Sequence, residues 1–170
     1  WAKTGSISAT DADAATTVDY LAKVDIVGGS QKAGTDATFK AETGSIQGSN
    51  TKAGGYADFQ ALVDIDAASV LAGGYVKAVA GQSVTNASFT STGSTVDVTA
   101  QYVDVSNTDV VASLAATVTA EQDVIGSSVV SETSLVDVWA KTGSISATDA
   151  DAKTVVDFLA NDDVVGGSQK

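Results

Sequence analysis

The sequence predicts an all-β protein built from tandem repeats, and three features support this fold class. First, valine occurs 24 times against six leucines and six isoleucines, and the 170 residues contain no arginine or methionine and only three glutamates. β-Branched residues favour strands, and good helix formers are scarce. Second, one long segment recurs almost unchanged. Third, apolar and polar residues alternate in short stretches, as they do in strands with one face in a core.

The long repeat is WAKTGSISATDADAATTVDYLAKVDIVGGSQK, at residues 1–32, which returns at residues 139–170 with six changes. A segment that reappears after a fixed period indicates a tandem array. We therefore expect one β repeat unit over residues 1–138 and the start of the next unit over residues 139–170. Trp1 and Trp139 are the largest apolar side chains at equivalent points, so both are predicted to mark the module boundary and to serve in assembly.

A fainter repeat lies inside this period. Residues 4–7 and 43–46 both read Thr-Gly-Ser-Ile, and the shift that carries Thr4 onto Thr43 also carries Tyr20 onto Phe59. We call this shift the short offset. Apolar residues coincide under it at every second position, which is the period of a strand.

Valine-Asp-apolar triplets give the strands their predicted orientation. In a pleated strand, the two flanking residues point to one face and the aspartate to the other, so each triplet predicts a sheet with a buried and a solvated face. This pattern also predicts that Tyr20, Phe59 and Phe158 lie in the core. The triplets begin at Val18, Val24, Val63, Val96, Val103, Val136 and Val156.

Candidate strands follow from this alternation and from the Gly, Ser, Asn and Asp clusters between them. Residues 109–124 contain enough alanine and leucine for a helix, but their valine and threonine content favours strand. In chain order, the strands are expected near residues 5–9, 16–22, 37–41, 56–65, 74–80, 88–90, 95–105, 110–120, 128–131 and 135–145.

Short strands with polar turns predict a β-sandwich, Ig-like or jelly-roll-like, as the repeat unit. A β-solenoid is the alternative. A solenoid needs one short coil repeated throughout, and the mismatch between the short offset and the 138-residue period favours the sandwich.

The charge of the chain restricts its partners. Eighteen aspartates and three glutamates against nine lysines give a net charge of −12. Such a surface repels phosphate backbones and anionic lipid, so nucleic acid is not an expected partner. No apolar run reaches the length that a membrane span requires, so membrane insertion is not expected either.

The missing side chains bear on catalysis. The chain has no His, Cys or Arg, the residues on which acid–base, thiol, imidazole-metal and phosphate-clamp chemistry most often depends. A hydrolase that uses paired aspartates is the remaining enzymatic alternative, but no spacing singles out two of them. We therefore expect no enzyme, no catalytic residue and no cofactor-binding residue.

Two acidic pairs are candidates for a metal site. Asp11 and Asp13 recur as Asp149 and Asp151, each pair separated by one alanine. Carboxylate oxygens suit Ca²⁺, so the four aspartates are candidate calcium ligands, with an unliganded turn as the alternative.

The stretch around the first pair, GSISATDADA at residues 5–14, resembles a motif of VCBS-type and cadherin-like repeats of bacterial surface adhesins. The resemblance is confined to this short stretch in each copy. It implies β-sandwich repeats exported to the cell surface, arranged in stalks or adhesive arrays and rigidified by calcium.

Together these features favour a structural repeat protein that self-assembles or stacks in tandem into an extracellular filament, surface layer or adhesin stalk. The expected partners are copies of the chain itself, joined head to tail or by strand exchange. The alternative is a carbohydrate- or surface-binding adhesive module, for which a glycan or a cell surface would be the partner.

Overall fold

The fold is all-β, and a computed structural model describes it for residues 1–8 and 10–170. Ala9, which belongs to the first candidate strand and to the motif at residues 5–14, lies outside the described residues. Every named element is a strand, and every strand pairing is parallel. The strands form three sheets, here called sheets 1, 2 and 3.

The strands of each sheet follow one another at every third position in the chain. Sheet 1 contains β3 (Val18–Ala22), β6 (Ala37–Ala41), β9 (Ala57–Ala61), β12 (Val76–Ala80), β15 (Val96–Ala100), β18 (Ala116–Ala120), β21 (Val136–Ala140) and β24 (Val156–Ala160). Sheet 2 contains β1 (Ile7–Ser8), β4 (Ile26–Val27), β7 (Ile46–Gln47), β10 (Ile65–Asp66), β13 (Val84–Thr85), β16 (Val105–Ser106), β19 (Val124–Ile125), β22 (Ile145–Ser146) and β25 (Val164–Val165). Sheet 3 contains β2 (Ala12–Ala14), β5 (Ser30–Ala33), β8 (Asn50–Ala53), β11 (Ser69–Ala72), β14 (Ser88–Ser91), β17 (Asp109–Ala112), β20 (Ser128–Ser131) and β23 (Asp149–Ala152).

The chain is a β-solenoid of about eight turns. One turn, or coil, runs through one strand of each sheet, and the next coil stacks on it in register. Each residue of a strand therefore pairs with the equivalent residue of the next coil, as Val18 does with Ala37 and Val84 with Val105. The expectation of an all-β fold is confirmed.

The β-sandwich is wrong, and the solenoid, which the sequence analysis kept as the alternative, is the fold. Both offsets that favoured the sandwich are whole numbers of coils. The short offset leads from Tyr20 through Phe39 to Phe59, which is two strands along sheet 1. The 138-residue period leads from β3 to β24, which is seven strands along the same sheet. The coil length varies by a residue or two, so a search for one constant short period misses it.

The core consists of columns of like residues, because equivalent positions of successive coils stack directly. In sheet 1, the first, third and fifth residues of each strand point inward, and the fifth residue is alanine in all eight strands. Phe39 and Phe59 are fully buried and stack with ring centroids 4.5 Å apart. Tyr20 and Phe158 are half-buried and pack against this core, as the alternation with aspartate predicted.

The corner that leads into sheet 2 is held by side-chain oxygens. The residue before each strand of this sheet is serine or aspartate, and in most coils its oxygen accepts a hydrogen bond from the backbone N–H of the equivalent residue in the next coil. Ser45 N–H donates to Asp25 Oδ1 (2.8 Å), Asp64 N–H to Ser45 Oγ (3.2 Å) and Ser83 N–H to Asp64 Oδ1 (3.0 Å). These bonds satisfy backbone groups that the ladders leave open at the corner.

The corner that leaves sheet 2 requires a left-handed residue. From β4 onward, the residue that follows each strand of sheet 2 has a positive φ, between 48° and 69°. Glycine adopts this conformation freely, and asparagine tolerates it. The residues are Gly28, Gly48, Ala67, Asn86, Asn107, Gly126, Ala147 and Gly166.

Several of the candidate strands are confirmed and others are corrected. Residues 37–41 and 128–131 are strands with the predicted bounds, and residues 109–124 form strands rather than a helix. The longer candidates, such as residues 56–65, divide at a corner into a sheet 1 strand and a sheet 2 strand. The described residues contain no helical segment that could span a bilayer.

Candidate functional site

The first acidic pair lies on the outer face of sheet 3. Asp13 is the outward residue of β2 and forms an ion pair with Lys32 (Oδ2 to Nζ, 3.3 Å). Asp11 precedes the strand, and its Oδ1 accepts a hydrogen bond from the backbone N–H of Ser30 (2.7 Å). Both carboxylates therefore already have partners in the next coil.

The second acidic pair has the equivalent place seven coils later. Asp149 and Asp151 are the outward residues of β23 and are exposed, while Ala150 between them is buried. Each pair supplies at most about four carboxylate oxygens, fewer than the six to eight oxygens that surround Ca²⁺. The described residues contain no group of three or more His, Cys, Asp or Glu placed to hold a metal ion. Calcium binding at the four aspartates stays a prediction.

Trp1 and Trp139 occupy equivalent positions on the outer face of sheet 1. Trp139 is the fourth residue of β21 and is 42% exposed, and Trp1 is 76% exposed beside Ala2, which bridges to Ala22. Each ring has a lysine amine over it, Lys3 Nζ at 4.7 Å and Lys141 Nζ at 5.7 Å.

The predicted boundary between residues 138 and 139 falls inside β21. This strand pairs with β18 and β24 along its whole length, so the structure has no break at the boundary. The role of the two indoles in assembly stays a prediction.

A shallow groove of about 330 Å³ lies where sheet 1 turns toward sheet 2, next to Lys40, Gln60 and Lys77. The carboxylate at this groove, Glu42, forms an ion pair with Lys23 (3.2 Å). The polar part of the groove therefore consists mainly of amines and amides, and it lies beside the apolar side chains of Leu62 and Val79.

Raised pKa values occur at separate places rather than in one cleft. Burial raises the pKa of the Asp137 carboxyl, and the like charge of Asp157 on the next strand raises it further. Burial also raises the pKa of the Tyr75 phenol, with smaller contributions from nearby carboxylates and from Tyr56, on which its ring stacks at 5.1 Å. The pKa of Tyr20 is raised by burial and then by the charge of Asp11.

The coil that contains β24 and β25 has one face that differs from the faces of the interior coils. Its inward side chains are less covered than those of the interior coils: Val164 is 48% exposed and Val156 and Phe158 are half-buried. The equivalent residues of the first copy, Val18 and Ile26, are buried. Sequence analysis identified the repeated segment but not this face, because the three-sheet coil was not recognised.

We compared the chain with protein-family models, with curated proteins and with solved structures, and found no match in any of the three.

Proposed function

We propose that the chain is a structural repeat protein whose coils stack into a filament, surface layer or stalk. The observation that supports this most is the continuity of the solenoid across the 138-residue repeat. Strand β21 contains the boundary between the two units, and sheets 1, 2 and 3 pass through it in register. Successive units of a tandem array would therefore be connected by the same strand pairings that connect the coils within one unit.

The dimensions of a tandem array follow from the strand spacing. Adjacent strands lie about 4.8 Å apart, so the seven coils of one repeat advance about 33 Å along the axis. Such a rod gains length in proportion to the number of repeats, because each coil contacts only its neighbours. Growth along one axis is the geometry that a stalk or fibre requires.

The surface chemistry is consistent with this role. The outward residues of sheets 1 and 3 are mainly Asp, Lys, Thr and Ser, and the net charge is −12. Like charge keeps long rods from clumping side by side. We propose no catalytic role, and we propose the cell surface or the extracellular space as the site of assembly.

Electron microscopy and fibre diffraction of the concentrated full chain test the proposal. We expect unbranched filaments one solenoid wide, with a reflection near about 4.8 Å along the filament axis, because parallel coils stack along that axis. A strictly monodisperse monomer at high concentration, with neither filaments nor the reflection, would contradict it.

A second candidate is an adhesive module that binds carbohydrate. It is favoured by the exposed indole of Trp139, which lies on sheet 1 between its register partners Thr119 and Leu159. Sugars stack on such rings. A glycan array probed with the wild-type chain and with Trp139→Ala tests it: hits that the variant loses would support it, and an array without hits would leave it unsupported.

A further inference from the structure

Two tyrosines stack at the corner that leads from sheet 3 into sheet 1. Tyr56 immediately precedes β9 and Tyr75 immediately precedes β12, so the two residues occupy the same place in successive coils. Their rings are nearly parallel, with an angle of 4° between the planes and centroids 5.1 Å apart. Tyr75 is 40% exposed and Tyr56 is half-buried, so reagents in solution can reach the pair.

Glycines bring the two coils close together at this corner. Each tyrosine follows a Gly-Gly pair, at residues 54–55 and 73–74. The Gly74 N–H donates a hydrogen bond to the carbonyl oxygen of Gly55 (2.7 Å). A Cβ atom at Gly73 would lie only 2.1 Å from the carbonyl oxygen of Gly54. The backbone approach that sets one phenol ring over the other therefore depends on residues without a side chain.

The other two tyrosines of the chain have no phenol partner. Tyr20 meets Phe39 edge-on at 5.2 Å, and its O–H donates a hydrogen bond to the carbonyl oxygen of Thr10 (3.1 Å). Tyr102 is 68% exposed, and no aromatic ring of the described residues stacks on it. The chain therefore holds a stacked pair of phenols together with single phenols of lower and higher exposure.

We propose that Tyr56 and Tyr75 are a site of oxidative coupling, at which a peroxide-dependent one-electron oxidant of the haem peroxidase class joins the two rings as dityrosine. Each phenol loses one electron and its proton and becomes a phenoxyl radical. The radicals form one C–C bond between carbons ortho to the phenolic oxygens. The hydrogens on those carbons leave as protons, and the oxygens are protonated again by water.

The balance of this reaction closes on hydrogen peroxide. The two tyrosines together lose two electrons and two protons, and these reduce one hydrogen peroxide to two waters. The rings must tilt toward each other before the bond can form. Side chains at an exposed corner change rotamer on a fast timescale, so the stacked arrangement can supply this geometry.

The bond would fasten one coil to the next. Each coil of a solenoid contacts only its neighbours, so local opening can begin within the array. A covalent link between Tyr56 and Tyr75 closes a loop of one coil and restricts the unfolded chain in the way that a disulfide does. The site thus goes beyond the assembly function, because it would reinforce a single chain whether or not that chain assembles.

Treatment of the full chain with a haem peroxidase and hydrogen peroxide tests the proposal. The protein is kept dilute, so that coupling between chains is slow. We expect the intact monomer to lose the mass of two hydrogens and to gain the fluorescence of dityrosine. Proteolysis at Asp58, Asp64 and Asp66 separates Tyr56 from Tyr75 in the untreated chain. Fragments that stay joined after treatment would identify the bond.

Phenylalanine variants assign the coupling to the stacked pair. Tyr56→Phe and Tyr75→Phe each keep the ring but remove one phenol. Each should reduce the yield of dityrosine about tenfold or more, because groups held side by side react far faster than groups that must meet by diffusion. Tyr102→Phe is the matched control, since it removes a more exposed phenol without a ring partner, and it should leave the yield unchanged. Circular dichroism of the three variants checks that the coils persist.

Urea denaturation of the oxidised proteins provides a second readout. The midpoint should rise on oxidation in the wild type and in Tyr102→Phe, and it should not rise in Tyr56→Phe. A digest without joined fragments would overturn the proposal, as would an undiminished yield of dityrosine in Tyr56→Phe. Covalent dimers through Tyr102 as the main product would overturn it too. A chain that couples but forms no filament would support this proposal and contradict only the assembly function.

Discussion

The two copies of the repeated segment have nearly the same sequence but are covered on opposite sides. In the first copy, Val18 and Ile26 are buried by the following coil, whereas Ile7 is half-buried. In the second copy the order is reversed: Ile145, the counterpart of Ile7, is 1% exposed, and Val164, the counterpart of Ile26, is 48% exposed. Burial in a solenoid is therefore set by the neighbouring coil and not by the residue itself.

The largest expected effect on stability comes from truncating an interior aromatic residue, and it is compared with the same truncation at a less covered residue. Phe59→Ala should lower the free energy of unfolding by about 3–5 kcal/mol, because it leaves a cavity beside Phe39. Phe158 lies in the same inward column of sheet 1 but is only half-buried. Phe158→Ala should therefore lower the free energy of unfolding by only about 1–2 kcal/mol. Urea denaturation of both variants measures the difference. Equal losses would show that the coil containing β24 is packed as tightly as the interior.

The alanine column of sheet 1 gives a second contrast. Ala100 is fully buried between alanines of the adjacent strands, so Ala100→Val should overpack the column and cost about 1–3 kcal/mol. Ala160→Val, at the half-buried end of the same column, should cost much less. Thermal unfolding of the pair checks this, and a neutral Ala100→Val would mean that the column has free space.

The left-handed corner gives a smaller contrast within the two copies. Gly28 and Gly166 are equivalent and both have φ of 69°. Gly28→Ala should destabilise the chain by about 1 kcal/mol, since an L side chain is strained in this conformation. Gly166→Ala should cost less, because the exposed coil can open locally and release the strain. Hydrogen exchange at the two corners would distinguish local opening from global unfolding, and the prediction is wrong if Gly166→Ala is the more costly change.

The smallest effect concerns charge. Asp137 and Asp157 are register partners, and the pKa of Asp137 is raised by burial and by this like charge. The native state therefore holds the proton more tightly than the unfolded chain. Stability falls as the pH rises from about 3.9 through the raised native pKa, and it stays lower at neutral pH. Asp137→Asn should raise the stability at pH 7 by about 0.2–1 kcal/mol and remove this part of the pH dependence.

Asp19→Asn is the matched control for that change. Asp19 is the counterpart of Asp157 in the first copy, but its register partner is Thr38, so no like charge is relieved. Denaturation at pH 4 and pH 7 compares the two variants. A gain of the same size in Asp19→Asn would assign the effect to net charge rather than to the pair.

Composition and alternation were sufficient to predict the all-β class, the inward orientation of Phe59 and the outward orientation of the aspartates in the four triplets that lie in strands of sheet 1. The prediction was wrong for the triplets that begin at Val24, Val63 and Val103, because each spans the corner before sheet 2, where the aspartate accepts a backbone hydrogen bond.

Composition and alternation were insufficient for the topology. A coil with one long and two shorter strands hides its period, because the spacing between register partners changes by a residue or two from coil to coil, as Ile7 with Ile26 and Val84 with Val105 show. The shortest strands, those of sheet 2, are too short to show alternation, and they were absorbed into longer candidates such as residues 56–65.

The recurring features of the corners are visible in the sequence only after the coils are aligned. Asp25, Ser45 and Asp64 then form one column, as do Gly28, Gly48 and Ala67 in the left-handed position. Side-chain oxygens and positive φ are each common in turns of any kind, so neither identifies a solenoid without the alignment. The less covered face of the coil that contains β24 and β25 was missed for the same reason.

The most direct test of the central claim, that the 138-residue repeat is seven parallel coils, is the distance between equivalent residues of the two copies. Spin labels at Asp19→Cys and Asp157→Cys occupy the same outward position in β3 and β24. Pulsed electron paramagnetic resonance on the dilute monomer should give one distribution centred about 33 Å, seven strand spacings along sheet 1. A distance below about 20 Å, which would bring the two copies side by side as paired strands or packed sheets do, would contradict the account.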